Sequence, residues 1–365
     1  MMNPFSGKRI VLTGHTGFKG SWLACWLSRL GAEVIGISDR VPTEPSHFKT
    51  STEDLAGDLR MDIRESSEIL QVLEQRKPEF VFHLAAQPIV FESYENPMHT
   101  FSVNAMGTAS VLEALRLYDR PCTAIMITSD KCYDNVEWTE GYKETDRLGG
   151  KDPYSGSKGA AELVIRSYVE SYFKKPESKV VVAVGRAGNV IGGGDWAPFR
   201  IVPDCARSWA VGEKPEIRSP QATRPWQHVL EPLSGYLSLA VSLGENTSLN
   251  GESFNFGPPE TQDHSVEELV NEIMLSWPGT GWLDKSGGNK MPPEAGLLKL
   301  CCDKALHQLN WQSTLDFKET AKWTADWYRT YYQSGPQDAK ELTFSQIDEY
   351  MALSVKRGTF DIGLK

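Results

Sequence analysis

Arg9-Ile10-Val11-Leu12-Thr13-Gly14-His15-Thr16-Gly17-Phe18-Lys19-Gly20-Ser21-Trp22-Leu23 decides the fold. Its first five residues form a short β-branched-rich run, and from Phe18 to Leu30 apolar residues recur at helical spacing. A strand, a glycine turn and a helix therefore follow in that order. At the junction, Gly14 permits a tight turn, Gly17 lets a pyrophosphate approach the backbone, and Gly20 allows close helix–strand packing. The helix N-terminus then offers N–H donors to an anion. A plain tight turn is the alternative, and the strand–turn–helix context argues against it.

Further apolar runs occur at Val34-Ile35-Gly36-Ile37, Phe80-Val81-Phe82-His83-Leu84, Ala124-Ile125-Met126-Ile127 and Val180-Val181-Val182-Ala183-Val184. Helical patterns lie between them at about 66–76, 98–118 and 155–174. Near-continuous hydrophobic strands alternating with helices imply a parallel sheet covered on both faces. The expected fold is α/β: a Rossmann-type doubly wound sheet over residues 1–188, with return segments near 229–257. A smaller, loop-rich C-terminal substrate domain is expected from 189–228 and 258–335, with helices near 230–243, 265–276 and 315–332. Turn formers Ser334, Gly335 and Pro336 then open a tail, 336–365, with one amphipathic helix near Phe344–Leu353.

The 365 residues are 40% hydrophobic and 24% charged, which suits a globular chain able to bury a large core. A net charge of −10, with 38 scattered basic residues, argues against nucleic acid as a partner. Six cysteines show no CxxC spacing, so neither a metal nor a redox motif is read. Without a signal segment or an apolar run of membrane-spanning length, the expected setting is the cytoplasm, with no membrane contact.

Asp39, just past the second strand, is placed to accept hydrogen bonds from an adenosine ribose, although Ser38 and Arg40 beside it suit a 2′-phosphate. Tyr154 and Lys158 are four apart and share a helix face. A neighbouring ammonium favours the phenolate of a tyrosine whose ordinary pKa is about 10. Tyr154 can then take a hydroxyl proton while hydride leaves the same carbon, with Thr128 bonded to the reacting oxygen. Asp130 and Lys131 directly follow and add an acid and an amine, equipment for elimination besides hydride transfer. Lys131 can equally be a mere partner of Asp130 or of a phosphate.

The GxxGxxG spacing resembles the extended short-chain dehydrogenases/reductases, and the Thr128–Tyr133 run resembles the nucleoside-diphosphate-sugar 4,6-dehydratases, in particular their CDP-glucose branch, with Lys131 where dTDP-glucose enzymes carry glutamate. Pro42-Thr43-Glu44-Pro45-Ser46, Arg186-Ala187-Gly188-Asn189-Val190-Ile191-Gly192-Gly193-Gly194-Asp195-Trp196 and Arg224-Pro225-Trp226-Gln227-His228 extend the resemblance over about residues 5–330. It implies NAD as cofactor, held by Gly14, Thr16, Gly17, Phe18, Gly20, Asp39, Asp62, Ile63, Leu84, Ala85, Ala86, Asn104, Tyr154 and Lys158. Asn104 also reads as a buried polar group satisfied by backbone. The substrate implied is CDP-glucose, bound by Gln87, Asn189, Arg200, Arg218 and Arg224, with catalysis by Thr128, Asp130, Lys131, Tyr154 and Lys158 and no metal. A lyase of deoxysugar biosynthesis, as for O-antigen lipopolysaccharide, is implied, in a homodimer or dimer of dimers pairing the helices near 98–118 and 155–174. An epimerase or reductase of the same superfamily, or a non-catalytic dinucleotide sensor, are the other readings.

Overall fold

The structure is a computed structural model that describes residues 3–52, 55–277, 281–286 and 296–361. Its centre is a seven-stranded, all-parallel sheet of β1 (Arg9–Thr13), β2 (Glu33–Ser38), β3 (Gly57–Arg60), β4 (Phe80–His83), β5 (Cys122–Ile127), β6 (Val180–Arg186) and β7 (Ser253–Asn255), ordered 3-2-1-4-5-6-7. Ile10 of β1 aligns with Val34 on one side and Phe80 on the other, so the order reverses beside β1. A cleft forms at such a switch point, outside the carboxyl ends of the strands. The doubly wound expectation is met.

Helices α1 (Phe18–Arg29), α2 (Ser66–Arg76), α3 (Gly107–Leu117), α4 (Pro153–Tyr168) and α5 (Leu230–Glu245) cover the sheet, and α6 (Val266–Ser276), α7 (Phe317–Gln333) and α8 (Pro336–Arg357) follow. Residues expected as one helix over 98–118 form a short helix, Pro97–Phe101, and a π-helical turn, Ser102–Met106, before α3. The π turn rotates the register around Asn104, a device that often marks functional sites. Three two-stranded ribbons, pairing 190–191 with 227–228, 223–224 with 264–265 and 216–217 with 283–284, frame the cleft from the C-terminal half.

The tail expectation needs correction. Pro336 at N1 starts α8 and Gly358, in the left-handed region at φ 66°, ends it, giving 22 residues in place of about ten. Its Ala339, Thr343, Ile347 and Tyr350 are completely buried. The expected amphipathic helix near Phe344–Leu353 lies inside α8, and the polar and charged run Gln337-Asp338-Ala339-Lys340-Glu341 hid its first turns. Thr343 Oγ1 meets His47 Nε2 (3.2 Å) and accepts from Trp327 Nε1 (2.8 Å), while Tyr350 donates to Glu231 of α5 (2.7 Å). One hydrophobic cluster runs from Trp22 and Trp26 of α1 through Tyr236 to Trp311, Trp327 and Tyr350, so α8 completes the core that supports the glycine turn.

Candidate active site

A cleft of about 1400 Å³ opens at the carboxyl ends of the strands. At one end β1 turns at Gly14 (φ 76°) into α1. A Cβ on Gly20 would lie 2.0 Å from the Gly14 carbonyl oxygen, so only glycine lets the helix start this close to the strand. The first turn of α1 carries no acidic residue to oppose an anion at its N–H groups. Gly14, Thr16, Gly17, Phe18, Gly20, Asp39, Asp62, Ile63, Leu84, Ala85 and Ala86 all line this end. A glycine-cradled helix N-terminus ringed by acids and small residues fits the diphosphate and ribose of a dinucleotide. Asp39 is mostly exposed, whereas Asp62 is gripped by Arg64 (2.9 Å), whose bonds hold its carboxyl below the ordinary range.

Two expected contacts are not offered freely. Asn104 lies off the cleft wall: its amide pairs with Gln87 N (2.8 Å) and Gln87 O (3.1 Å) and donates to Ser157 Oγ (2.9 Å). Gln87 does face the cleft, but its side chain bonds Thr100 Oγ1 (2.8 Å) and Ile89 N (2.5 Å). The two residues brace the wall where β4 leaves the sheet.

The reacting groups converge at the middle of the cleft. Asp152 caps α4 by accepting from Ser155 N (2.9 Å), which sets Tyr154 and Lys158 on the helix face turned to the carboxyl end of β5. Both are buried, with Tyr154 pushed up to about 12 and Lys158 down to about 8, burial being the chief cause in each. Ser129 and the charge of Arg200 work against the rise at Tyr154. Lys131 Nζ lies 6.0 Å from the centre of the Tyr154 ring. Asp130 accepts from Ser129 Oγ (2.8 Å) and Asn189 Nδ2 (3.4 Å). Its carboxylate packs on Gly188, where a Cβ would come within 1.8 Å of Oδ2.

Thr128, the hydroxyl expected on the reacting oxygen, lines the cleft with Tyr154 and Lys158 and donates its proton to Glu162 Oε1 (2.5 Å). Ser129 is the N-cap of the turn Asp130–Cys132 and accepts from Lys131 N (3.2 Å). Ser129 is one residue not singled out, and its place ahead of a short polar turn was the signal available in the sequence. Lys19 is a second residue not singled out: it lines the cleft near Lys158, Arg200 and Asp130, and burial with those cations pushes it down to about 8.

Asn189, in the left-handed region at φ 52°, and Arg200, Arg218 and Arg224 line the far wall. Arg200 is paired with Asp195 (2.7 Å), and Arg224 donates to the carbonyls of Thr223 (2.7 Å) and Gly296 (3.1 Å). A row of arginines suits phosphate oxygens, which their forks can hold bidentately. Among the described residues no group of His, Cys, Asp or Glu could hold a metal ion, no helix is long and apolar enough to cross a membrane, and the cysteines are free.

Known proteins are similar to this chain. Residues 11–324 match the family described as GDP-mannose 4,6 dehydratase. CDP-glucose 4,6-dehydratase of Salmonella typhimurium is 42% identical over 359 residues, 97% of this chain and 99% of that one. CDP-paratose 2-epimerase of Salmonella typhi is 26% identical, over 72% of this chain and 82% of its own. Among solved structures, dTDP-glucose 4,6-dehydratase from Bacillus anthracis in complex with NAD superposes with a TM-score of 0.73 at 18% identity, covering 91% of this chain and all of that one. That likeness speaks for the fold. The family match over most of the length, with an end-to-end relative, makes this chain a member of the GDP-mannose 4,6 dehydratase family.

Proposed function

We propose that the chain is an NAD-dependent nucleotide-sugar 4,6-dehydratase converting CDP-glucose to CDP-4-dehydro-6-deoxyglucose and water. The carrying observation is Asp130 and Lys131 set beside the Tyr154–Lys158 pair in one cleft with a dinucleotide cradle. A simple oxidoreductase or epimerase does not need the added acid and amine. The end-to-end match with the Salmonella enzyme supports the CDP sugar in particular.

The dinucleotide, held at Gly14, Gly17, Gly20, Asp39 and Asp62, supplies when bound a hydride acceptor for sugar C4 and a donor for C6. Tyr154 takes the O4 proton, and Lys158 supports its phenolate. With C4 a ketone, the C5 proton is acidic, and Lys131 is the amine placed to take it and return it. Asp130 protonates the departing C6 hydroxyl. Ser129 donates to Asp130 and lies close enough to Tyr154 to act on its phenol, so the proton lost from O4 can pass towards the oxygen that leaves as water. The net change is loss of one water. Asn189, Arg200, Arg218 and Arg224 hold the nucleotide diphosphate on the far wall.

Incubation with CDP-, dTDP-, UDP- and GDP-glucose, the CDP sugar deuterated at C4, is expected to give a 4-keto-6-deoxy CDP product with deuterium at C6. No turnover of the CDP sugar, or label lost to the cofactor pool, overturns the reading.

The active unit is a homodimer paired through the helices of residues 97–117 and 153–173. Met98 (81% exposed), Met106 (60%) and Leu163 (57%) lie bare on those elements, an apolar surface that a second copy covers. Leu163→Glu is expected to give monomers by light scattering, whereas an unchanged mass places the interface elsewhere.

A further inference from the structure

Behind the reacting pair lies a buried ionic network. Glu162 follows Lys158 by four residues and Tyr154 by eight on α4, so the three share a face. Its Oε1 accepts from Thr128 Oγ1 (2.5 Å) and Arg186 Nε (2.8 Å), and its Oε2 from Arg186 Nη2 (2.8 Å). Arg186, at the end of β6, spends its other donors on Tyr133 Oη (2.7 Å), the Glu144 carbonyl (3.1 Å) and Ser253 Oγ (3.2 Å). The carboxylate is thereby fixed from β5, β6 and its own helix. Both side chains of the pair are only 3% exposed, and a buried ion pair of this kind adds little stability over an apolar substitute. Its position under the lysine indicates a different use.

We propose that Glu162, held by Thr128 and Arg186, is a positioning residue that fixes Lys158 and keeps its amine charged during turnover. The inference rests on Tyr154 and Lys158 being the hydride-transfer pair. The groups facing Lys158 are Lys19 from α1, His83 from β4, Cys132 from the turn after β5, and Glu162. Burial keeps the Cys132 thiol neutral and pushes His83 down to about 3, so neither bears a charge near neutral pH. Lys19 is a like charge. Glu162 is the negative charge left to oppose the burial that drives Lys158 down to about 8.

The sign follows. The ammonium is the working form, so loss of the Glu162 charge lets the proton leave at lower pH and draws in the alkaline limb of kcat. The test is kcat against pH on the CDP sugar for wild type, Glu162→Gln and Glu162→Asp, with melting curves to check folding. Glu162→Gln is expected to move the alkaline limb down by roughly one pH unit, while Glu162→Asp, which keeps the charge, leaves it in place. A folded Glu162→Gln whose limb coincides with wild type overturns the inference. So does a Glu162→Asp limb that falls by about a full pH unit although the charge is kept, and that variant decides the matter if Glu162→Gln does not fold. Absence of turnover by the wild type instead overturns the functional reading, so the two failures are distinct.

Discussion

Tyr154→Phe is expected to lower kcat on CDP-glucose by about 10²- to 10⁴-fold, the usual span for a positioned proton-transfer group, with KM little changed. Phenylalanine keeps the ring and its place against Lys131, so the wall of the cleft and the melting temperature should be retained. What disappears is the oxygen that accepts the O4 proton. Burial is the chief cause that pushes this phenol up to about 12, a poor base near neutral pH, and Ser129 and the Arg200 charge work against the rise. Those groups act through an oxygen, and without it they stabilise nothing. Steady-state formation of the 4-keto-6-deoxy product gives the measurement. A loss under about tenfold would mean that another group takes the proton, and an activity-dependent phenotype unchanged by the substitution would favour the dinucleotide-sensing reading.

The sheet was legible because β1, β2, β4, β5 and β6 are buried on both faces and read as continuous apolar runs. The edge strand β3, Gly57-Asp58-Leu59-Arg60, alternates between half-buried and exposed positions and carries no such run. Strand β7 is three residues long, and only its neighbourhood could be marked as returning to the sheet. At the site, Tyr154 and Lys158 followed from helical spacing, and their shared face is there in the fold. Thr128 was read as the end of β5 and lines the cleft, but its bond to Glu162, 34 residues on, has no signature in the strand pattern. Glu162 and Arg186 lie 24 residues apart with no local pattern joining them; packing β6 against α4 makes their ion pair.

Asp130→Asn should divide the reaction. The amide matches the carboxylate in shape, which matters where Gly188 leaves no space behind it. It can still meet Ser129 and Asn189, but it has no proton to give to a leaving hydroxyl. Oxidation at C4 relies on Tyr154 and Lys158 and should continue, whereas formation of the 6-deoxy product should fall by about 10²-fold or more. Reduced dinucleotide is then expected to build up on the variant, seen as near-ultraviolet absorbance that the wild type does not accumulate. In deuterated water the variant should also place deuterium at C5 of recovered substrate, because Lys131 still removes and returns that proton. This pattern assigns the acid to Asp130 and shows that the base is a different group, as Lys131 is. Product formation at the wild-type rate would remove Asp130 from the elimination, and failure of C5 exchange with oxidation intact would remove Lys131.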